Sequence, residues 1–236
     1  GIMPGRNDKP YRHEQKYFIN RGTAIELKTR LLQTMDLDEH ARRRGGSYHI
    51  RSLYFDDAVD SAVRDKLDGV EERKKFRIRI YNFSDREIFL ECKQKSGPYI
   101  KKYGAKIDRA LCDEICAGYW TNLLYHEAPI CRELYYQMSC RFLRPSVIVD
   151  YVRTPFVAQY QDVRITFDDE LRTGVFSTDL FDPNLPTVPA LDSYDLILEV
   201  KFNEFLPDYY LRLIQTDYAL RSAASKYVIC RKFEAT

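Results

Sequence analysis

The run Lys75-Phe76-Arg77-Ile78-Arg79-Ile80 alternates strictly between basic and apolar residues. Side chains along a strand point to opposite faces in turn, so this segment reads as a strand with one cationic face and one apolar face. The pattern returns along the chain. Glu91, Lys93 and Lys95 oppose Ile88, Leu90 and Cys92; Glu199 and Lys201 oppose Leu198, Val200 and Phe202. Arg164, Thr166 and Asp168 oppose Val163, Ile165 and Phe167, while Arg12, Glu14 and Lys16 share a face across from Tyr17 and Ile19.

Around these runs the spacing predicts strands over 11–20, 47–55, 74–83, 86–95, 98–108, 145–155, 163–169 and 194–203. Helices are expected over 23–35, 58–67, 111–119, 123–140 and 207–221, with Pro207 at a permitted early position. A Ser-Asp turn within 82–86 and Ser96-Gly97-Pro98 supply hairpin links, and 182–189 reads as a Pro-containing loop. Residues 11–236 are expected to form one domain behind a flexible N-terminus or expression remnant at 1–10.

Hydrophobic residues make up 44% of the 236 and charged residues 31%. The chain can therefore bury a core, and wholesale disorder is excluded. No apolar run approaches the length of a membrane span, and no apolar signal core is read, so a cytoplasmic setting is expected. The six cysteines show no C-x-x-C spacing and read as free thiols. A net charge of +2 does not by itself predict a polyanion partner; where the charges sit matters more.

On the alternating faces ten cations (Lys16, Arg51, Lys75, Arg77, Arg79, Lys93, Lys95, Arg153, Arg164 and Lys201) stand against Glu14, Glu91, Asp168 and Glu199. An antiparallel sheet with one face in water would explain the alternation, but solvent faces usually mix signs, and like charges on paired strands repel. A closed eight-stranded antiparallel β-barrel of α+β class, polar face inward and helices packed outside, accommodates both the charge imbalance and the apolar faces. Such a lumen calls for a polyanion. Arg forks and Lys point charges suit phosphate oxygens, and the few carboxylates suit a hard divalent cation or a general base. The ligand should be linear, because a narrow lumen excludes duplex nucleic acid.

The residues 12–17 (Arg-His-Glu-Gln-Lys-Tyr), the Arg77/Arg79 pair, Glu91-Cys92-Lys93, Arg153 after Asp150-Tyr151, Arg164, the strand Leu198-Glu199-Val200-Lys201-Phe202 and Ser225-Lys226-Tyr227 resemble the triphosphate tunnel metalloenzyme superfamily. Within it the pattern is most similar to the vacuolar transporter chaperone (VTC) domain, the polyphosphate polymerase branch. The resemblance runs from about Tyr11 to Arg231. It implies a tunnel that binds a triphosphate together with Mn²⁺ or Mg²⁺ and moves the terminal phosphoryl of ATP onto a growing polyphosphate chain.

Carried over by position, the resemblance implies that Lys16, Arg77, Arg79, Lys93, Arg153 and Arg164 hold phosphates, with the arginines catalytic. Lys102 joins them, with Lys101 competing because the hairpin length is open. Lys201 and Lys226 are further phosphate contacts, and Glu199 is the metal ligand. Hydrolytic members begin Glu-x-Glu-x-Lys, whereas here Arg12 replaces the first Glu, a departure that favours the polymerase over the triphosphatases. Three hypotheses stand: polyphosphate synthesis from ATP, hydrolysis of inorganic or nucleoside triphosphate, and non-catalytic polyphosphate binding. The histidines read as structural or surface residues, with His49 the one that could reach the lumen. The Arg42-Arg43-Arg44-Gly45-Gly46 run reads as a solvated loop, or as a tunnel mouth that draws in polyanions.

Overall fold

Eight strands of eight residues or more carry the architecture of this chain, in a computed structural model that describes residues 13–57, 72–97, 99–174, 177–192, 195–214 and 220–221. The strands are β1 (His13–Asn20), β2 (Met35–Leu37), β3 (Tyr48–Asp56), β4 (Glu72–Tyr81), β5 (Ile88–Ser96), β6 (Tyr99–Ile107), β7 (Arg144–Ala158), β8 (Val163–Gly174), β9 (Val188–Pro189), β10 (Asp195–Phe202) and β11 (Leu220–Arg221). The helices are α1 (Arg21–Leu31), α2 (Glu39–Arg42), α3 (Arg109–Cys116), a 3₁₀ turn at Thr121–Tyr125, α4 (Pro129–Cys140) and α5 (Asp208–Ile214).

All the strands belong to one antiparallel sheet ordered β11-β1-β10-β8-β7-β3-β4-β5-β6, with β2 paired to β7 and β9 to β8. The expected barrel of eight strands closed by backbone pairing is corrected on two points. The described residues form eleven strands, and the path is open, because no described backbone pairing joins β6 to β1. Side chains meet at that seam instead: Lys102 Nζ of β6 lies 3.3 Å from Glu14 Oε2 of β1. The sheet therefore curls until its first and last long strands face one another.

Two of the apolar clusters lie outward under the helices, while a third (Ile50, Tyr54, Val147, Val149, Tyr151 and Ile197) is buried on the concave side. Leu53, Phe76, Ile78, Ile80, Leu90, Ala105 and Ile107 pack beneath α3 and α4, against Ile115, Ile130, Leu134 and Met138. On the other half, Ile165, Phe167, Leu198 and Val200 pack beneath α1 and α5, against Leu27, Leu31, Tyr210 and Ile214. Burial of the apolar stripes, at about 25 cal/mol per Å² of area removed from water, therefore draws the charged stripes together on the concave side. Asn20 accepts from Thr23 N at the start of α1, and Asp108 accepts from Leu111 N at the start of α3, so both helices begin on capped turns.

Some boundaries differ from the sequence expectation. The helix expected over 23–35 stops at Leu31, because Met35 pairs with Ala158 in the β2–β7 ladder. The one expected over 123–140 breaks into the 3₁₀ turn and α4, with Pro129 opening the second piece. The helix expected over 207–221 ends at Ile214 within the described residues, and Leu220 pairs with Phe18 as a strand. The helix expected over 58–67 lies outside the described residues. Cys92, Cys112, Cys116, Cys131 and Cys140 are free thiols. No helix among the described residues is long and apolar enough to cross a membrane.

Candidate functional site

Residues directly opposite on paired strands share a face, so the ladder register alone assigns the concave side. Lys75 of β4 stands opposite Lys93 of β5, which stands opposite Lys102 of β6, giving a row of three lysines across three neighbouring strands. Lys95 continues the concave face of β5 one step on, opposite Arg73. The same face holds Arg77 opposite Tyr54 and Glu91, and Arg79 opposite Ser52. Across the cylinder, Lys16 faces Glu199, and Glu14 faces Lys201, which in turn faces Arg164. Arg153 of β7 stands opposite Asp168 of β8.

The fork of each central arginine is fixed by neighbours. Arg79 Nη2 donates to Tyr151 Oη at 2.9 Å and its Nε to Ser52 Oγ at 3.2 Å. Arg77 donates to Tyr54 Oη at 3.2 Å and to Glu91 Oε2 at 3.1 Å. Arg153 donates from Nε and Nη2 to the two oxygens of Asp168, which is fully buried. Burial works against the charge of Arg77 and of Arg153, but Glu91 and Asp168 outweigh it and hold both firmly protonated.

The lysines are held differently. Burial first, then Lys16, Lys102 and Lys75, push the Lys93 ammonium well below the ordinary lysine range. Burial, and then Lys201, bring Lys102 down to about 8. Glu14 is driven the other way: burial and Glu199 oppose its charge, but Lys102, Lys93 and Lys16 outweigh them and lower it to about 2. Like charges directly opposite on a sheet destabilise it. The row of three lysines is therefore an arrangement that an anion relieves.

Each inner carboxylate lies beside a cation. Glu199 Oε1 is 3.0 Å from Lys201 Nζ, and Glu14 Oε1 is 3.4 Å from Lys16 Nζ. Among the described residues no group of three or more His, Cys, Asp or Glu side chains is gathered into a metal cage. Glu14 and Glu199, on adjacent strands and close enough to feel each other's charge, form a two-carboxylate donor set. A hard divalent cation such as Mg²⁺ commonly takes one or two carboxylates and completes its shell with substrate phosphates, so this donor set fits Mn²⁺ or Mg²⁺.

The structure gathers Lys16, Arg77, Arg79, Lys93, Lys102, Arg153, Lys201 and Glu199 on the one concave face. Lys102 is the inner residue of its pair, while Lys101 lies over the Tyr103 ring at 5.3 Å on the other face. Arg164 shares the concave face but stands toward one end, its Nη1 donating to Asp38 Oδ2 at 2.9 Å. Lys226 lies outside the described residues, as does Arg12.

Arg51 is a correction. It shares its face with Leu53 and Ile80, is 1% exposed, and makes a two-point contact with Asp150 while Nη1 donates to Leu180 O and Asp182 O. The apolar residues two positions along, Leu53 and Phe55, already carried that assignment. His49, on the same outward face, stacks on Phe83 at 4.3 Å between ring centroids and does not reach the lumen. Sequence reasoning underrated Lys75, which the register brings opposite Lys93, and missed Tyr54, Tyr151 and Ser52 as the groups that aim the arginines.

Comparison with known proteins agrees with this geometry. Residues 11–234 match the VTC domain family. Among solved structures, the fold is similar to a candidate adenylyl cyclase from Hippeastrum described as having a dominant triphosphatase activity, with a TM-score of 0.58 and 16% identity over 93% of this chain and 95% of that one. It is also similar to a candidate adenylate cyclase from Bacillus halodurans, with a TM-score of 0.51 and 12% identity over 86% of this chain and 84% of that one. No curated protein sequence matches the chain. The family match spans nearly every strand of the curled sheet, its cationic concave face included, and the chain belongs to the VTC domain family.

Proposed function

We propose that this protein is a polyphosphate polymerase that transfers the terminal phosphoryl of ATP onto a growing inorganic polyphosphate chain within the curled sheet. The carrying observation is the lysine row Lys75, Lys93 and Lys102, facing Lys16 and Lys201 across a concave surface that holds few carboxylates. A linear polyphosphate supplies the repeated negative charge that this surface lacks.

In the transfer, the bond from the γ-phosphorus to the β,γ-bridging oxygen breaks, a bond from an oxygen of the chain's terminal phosphate forms, and ADP leaves. Positioning and charge stabilisation account for most of such a reaction. Arg77, Arg79 and Arg153, their forks pre-set by Tyr54, Tyr151 and Asp168, would meet the charge that spreads over the transferring oxygens. Arg164 would hold the chain toward one end. Lys16, Lys93, Lys102, Lys201 and Lys226 would bind the phosphates on either side. Glu199, with Glu14, would hold Mn²⁺ or Mg²⁺, which would neutralise phosphate charge.

The inner carboxylates Glu14, Glu91, Asp168 and Glu199 all lie against cations, so none is poised as a general base for water. An acceptor phosphate that is already anionic requires no such base, and this favours the polymerase. The second reading, hydrolysis of a triphosphate, draws on the activity described for the Hippeastrum protein of the same fold. Incubating the full chain with ATP and Mn²⁺ and resolving the products on a gel separates the readings. Long chains support synthesis; orthophosphate without chains supports hydrolysis; tight binding without turnover supports a binding module.

A further inference from the structure

The segment Asp38–Gly46 lies across one end of the cylinder. Asp38 N donates to Pro155 O at 3.0 Å, and the preceding β2 pairs with Phe156–Ala158 at the far end of β7. The His40 ring meets Tyr48 edge-on at 5.0 Å and Tyr81 at 6.0 Å; these are the first residue of β3 and the last of β4, both on the concave face. Ala41 is fully buried against the same group. The segment is thus a strap packed on the apolar residues Tyr48, Ile50, Val149 and Tyr151 at one end of the concave face, with Gly45 and Gly46 at φ 78 and 103 turning it back into β3.

Two features of this strap point to an anion. First, Arg164 is engaged on one side only: Nη1 donates to Asp38, while Nη2 is buried with no hydrogen-bond partner. A buried guanidinium donor left unpaired is costly and wants an acceptor. Second, the strap's outer side presents three successive exposed arginines, Arg42, Arg43 and Arg44. Arg42 lies 3.9 Å from Asp36 and Arg43 is bonded to Glu39, but all four side chains are about half exposed or more, so water and salt weaken these pairs.

We propose that the strap is a second anion site at the tunnel mouth, in which Arg164 exchanges Asp38 for a phosphate of a linear polyphosphate and Arg42, Arg43 and Arg44 hold the phosphates beyond it. The inference rests on the reading of the concave face as a polyphosphate site. Asp38 acts in it as a competing internal anion. Its other oxygen accepts from His40 N at 2.9 Å, so displacing the Asp38 side chain also loosens the start of α2. Chains long enough to emerge would gain the strap contacts, whereas a three-phosphate ligand held in the centre would not. The site therefore discriminates by length.

The test uses the full chain and two inorganic probes, tripolyphosphate and long-chain polyphosphate, with affinities measured by calorimetry and the fold checked by thermal unfolding. At roughly twofold per exposed contact, R42Q/R43Q/R44Q should weaken long-chain binding by about tenfold and leave tripolyphosphate binding unchanged. D38N, which keeps the side chain's shape and removes its charge, should tighten long-chain binding several-fold. Unaltered long-chain affinity in the triple variant, or unaltered or weaker affinity in D38N, overturns the strap site. If wild-type protein binds neither probe, it is the tunnel reading that fails, and the two failures are distinguishable.

Discussion

Lys102 and Glu14 belong to the first and last long strands of the hydrogen-bonded path, yet Lys102 Nζ sits 3.3 Å from Glu14 Oε2. That contact brings the two strands face to face, and the titration of Lys102, which Glu14 opposes but does not cancel, gives the protein a measurable pH dependence. Lys102 is held at about 8, below its ordinary 10.5, by burial and then by Lys201. Between those values the unfolded chain binds more protons than the folded one, so the ligand-free protein should gain stability as pH rises across that window. Tripolyphosphate binding needs the charged ammonium, so it should weaken over the same rise and take up protons. Calorimetry in buffers of different ionisation enthalpy between about pH 7 and 9 checks this; an affinity that is flat across the range contradicts it.

Arg51 separates the outside of the wall from the inside. Its guanidinium holds Asp150 and two carbonyls of the 180–182 segment beneath the outer core. Arg51→Ala strands a buried carboxylate and should lower unfolding stability by about 3–5 kcal/mol in urea titration. Tripolyphosphate affinity of the folded variant should be unchanged. A selective loss of that affinity, with stability intact, would return Arg51 to the lumen.

Asp168 makes the contrasting case on the concave side. Asp168→Ala leaves Arg153 buried without its two-point partner and should cost about 3–5 kcal/mol. Here tripolyphosphate should restore more stability to the variant than it adds to wild type, because a phosphate can take the vacated place beside the guanidinium. Thermal unfolding with and without tripolyphosphate reads the difference directly. Equal increments in the two proteins would mean that the ligand does not reach Arg153.

Glu199→Gln tests the metal assignment. The amide keeps the shape, loses the charge beside Lys201, and is a poorer ligand for a hard cation. The Mn²⁺ concentration needed for half-maximal ATP turnover should rise by about tenfold, and the maximal rate should fall. A titration curve that overlays the wild type would remove Glu199 from the metal site.

The concave face was legible because its signal is local. In 75–80 each basic residue is separated from the next by an apolar one, and the alternation names the face without knowledge of any partner strand. Arg51 was misread for a related reason: its charge was counted while its neighbours Leu53 and Phe55, at the same parity, were not. The choice between Lys101 and Lys102 needed the β5–β6 register, which depends on the exact turn and is set only when Lys93 finds its opposite number. Contacts between distant residues left no trace in the sequence. Arg164 and Asp38 are 126 positions apart, and neither residue's surroundings hint at the other. Likewise, Met35 lies within an apolar helical spacing and joins a strand because the end of β7 offers it a ladder, a tertiary effect that overrides local preference.

Among the described residues the line where β6 meets β1 is joined by the Lys102–Glu14 side-chain pair, whereas the other boundaries between the long strands are stitched by backbone bonds. Under outward pressure such a hoop yields first at its clasp. Salt screens so exposed a pair, so the Lys102–Glu14 contact should be the first part of the wall to loosen as ionic strength rises, while the backbone ladders elsewhere hold.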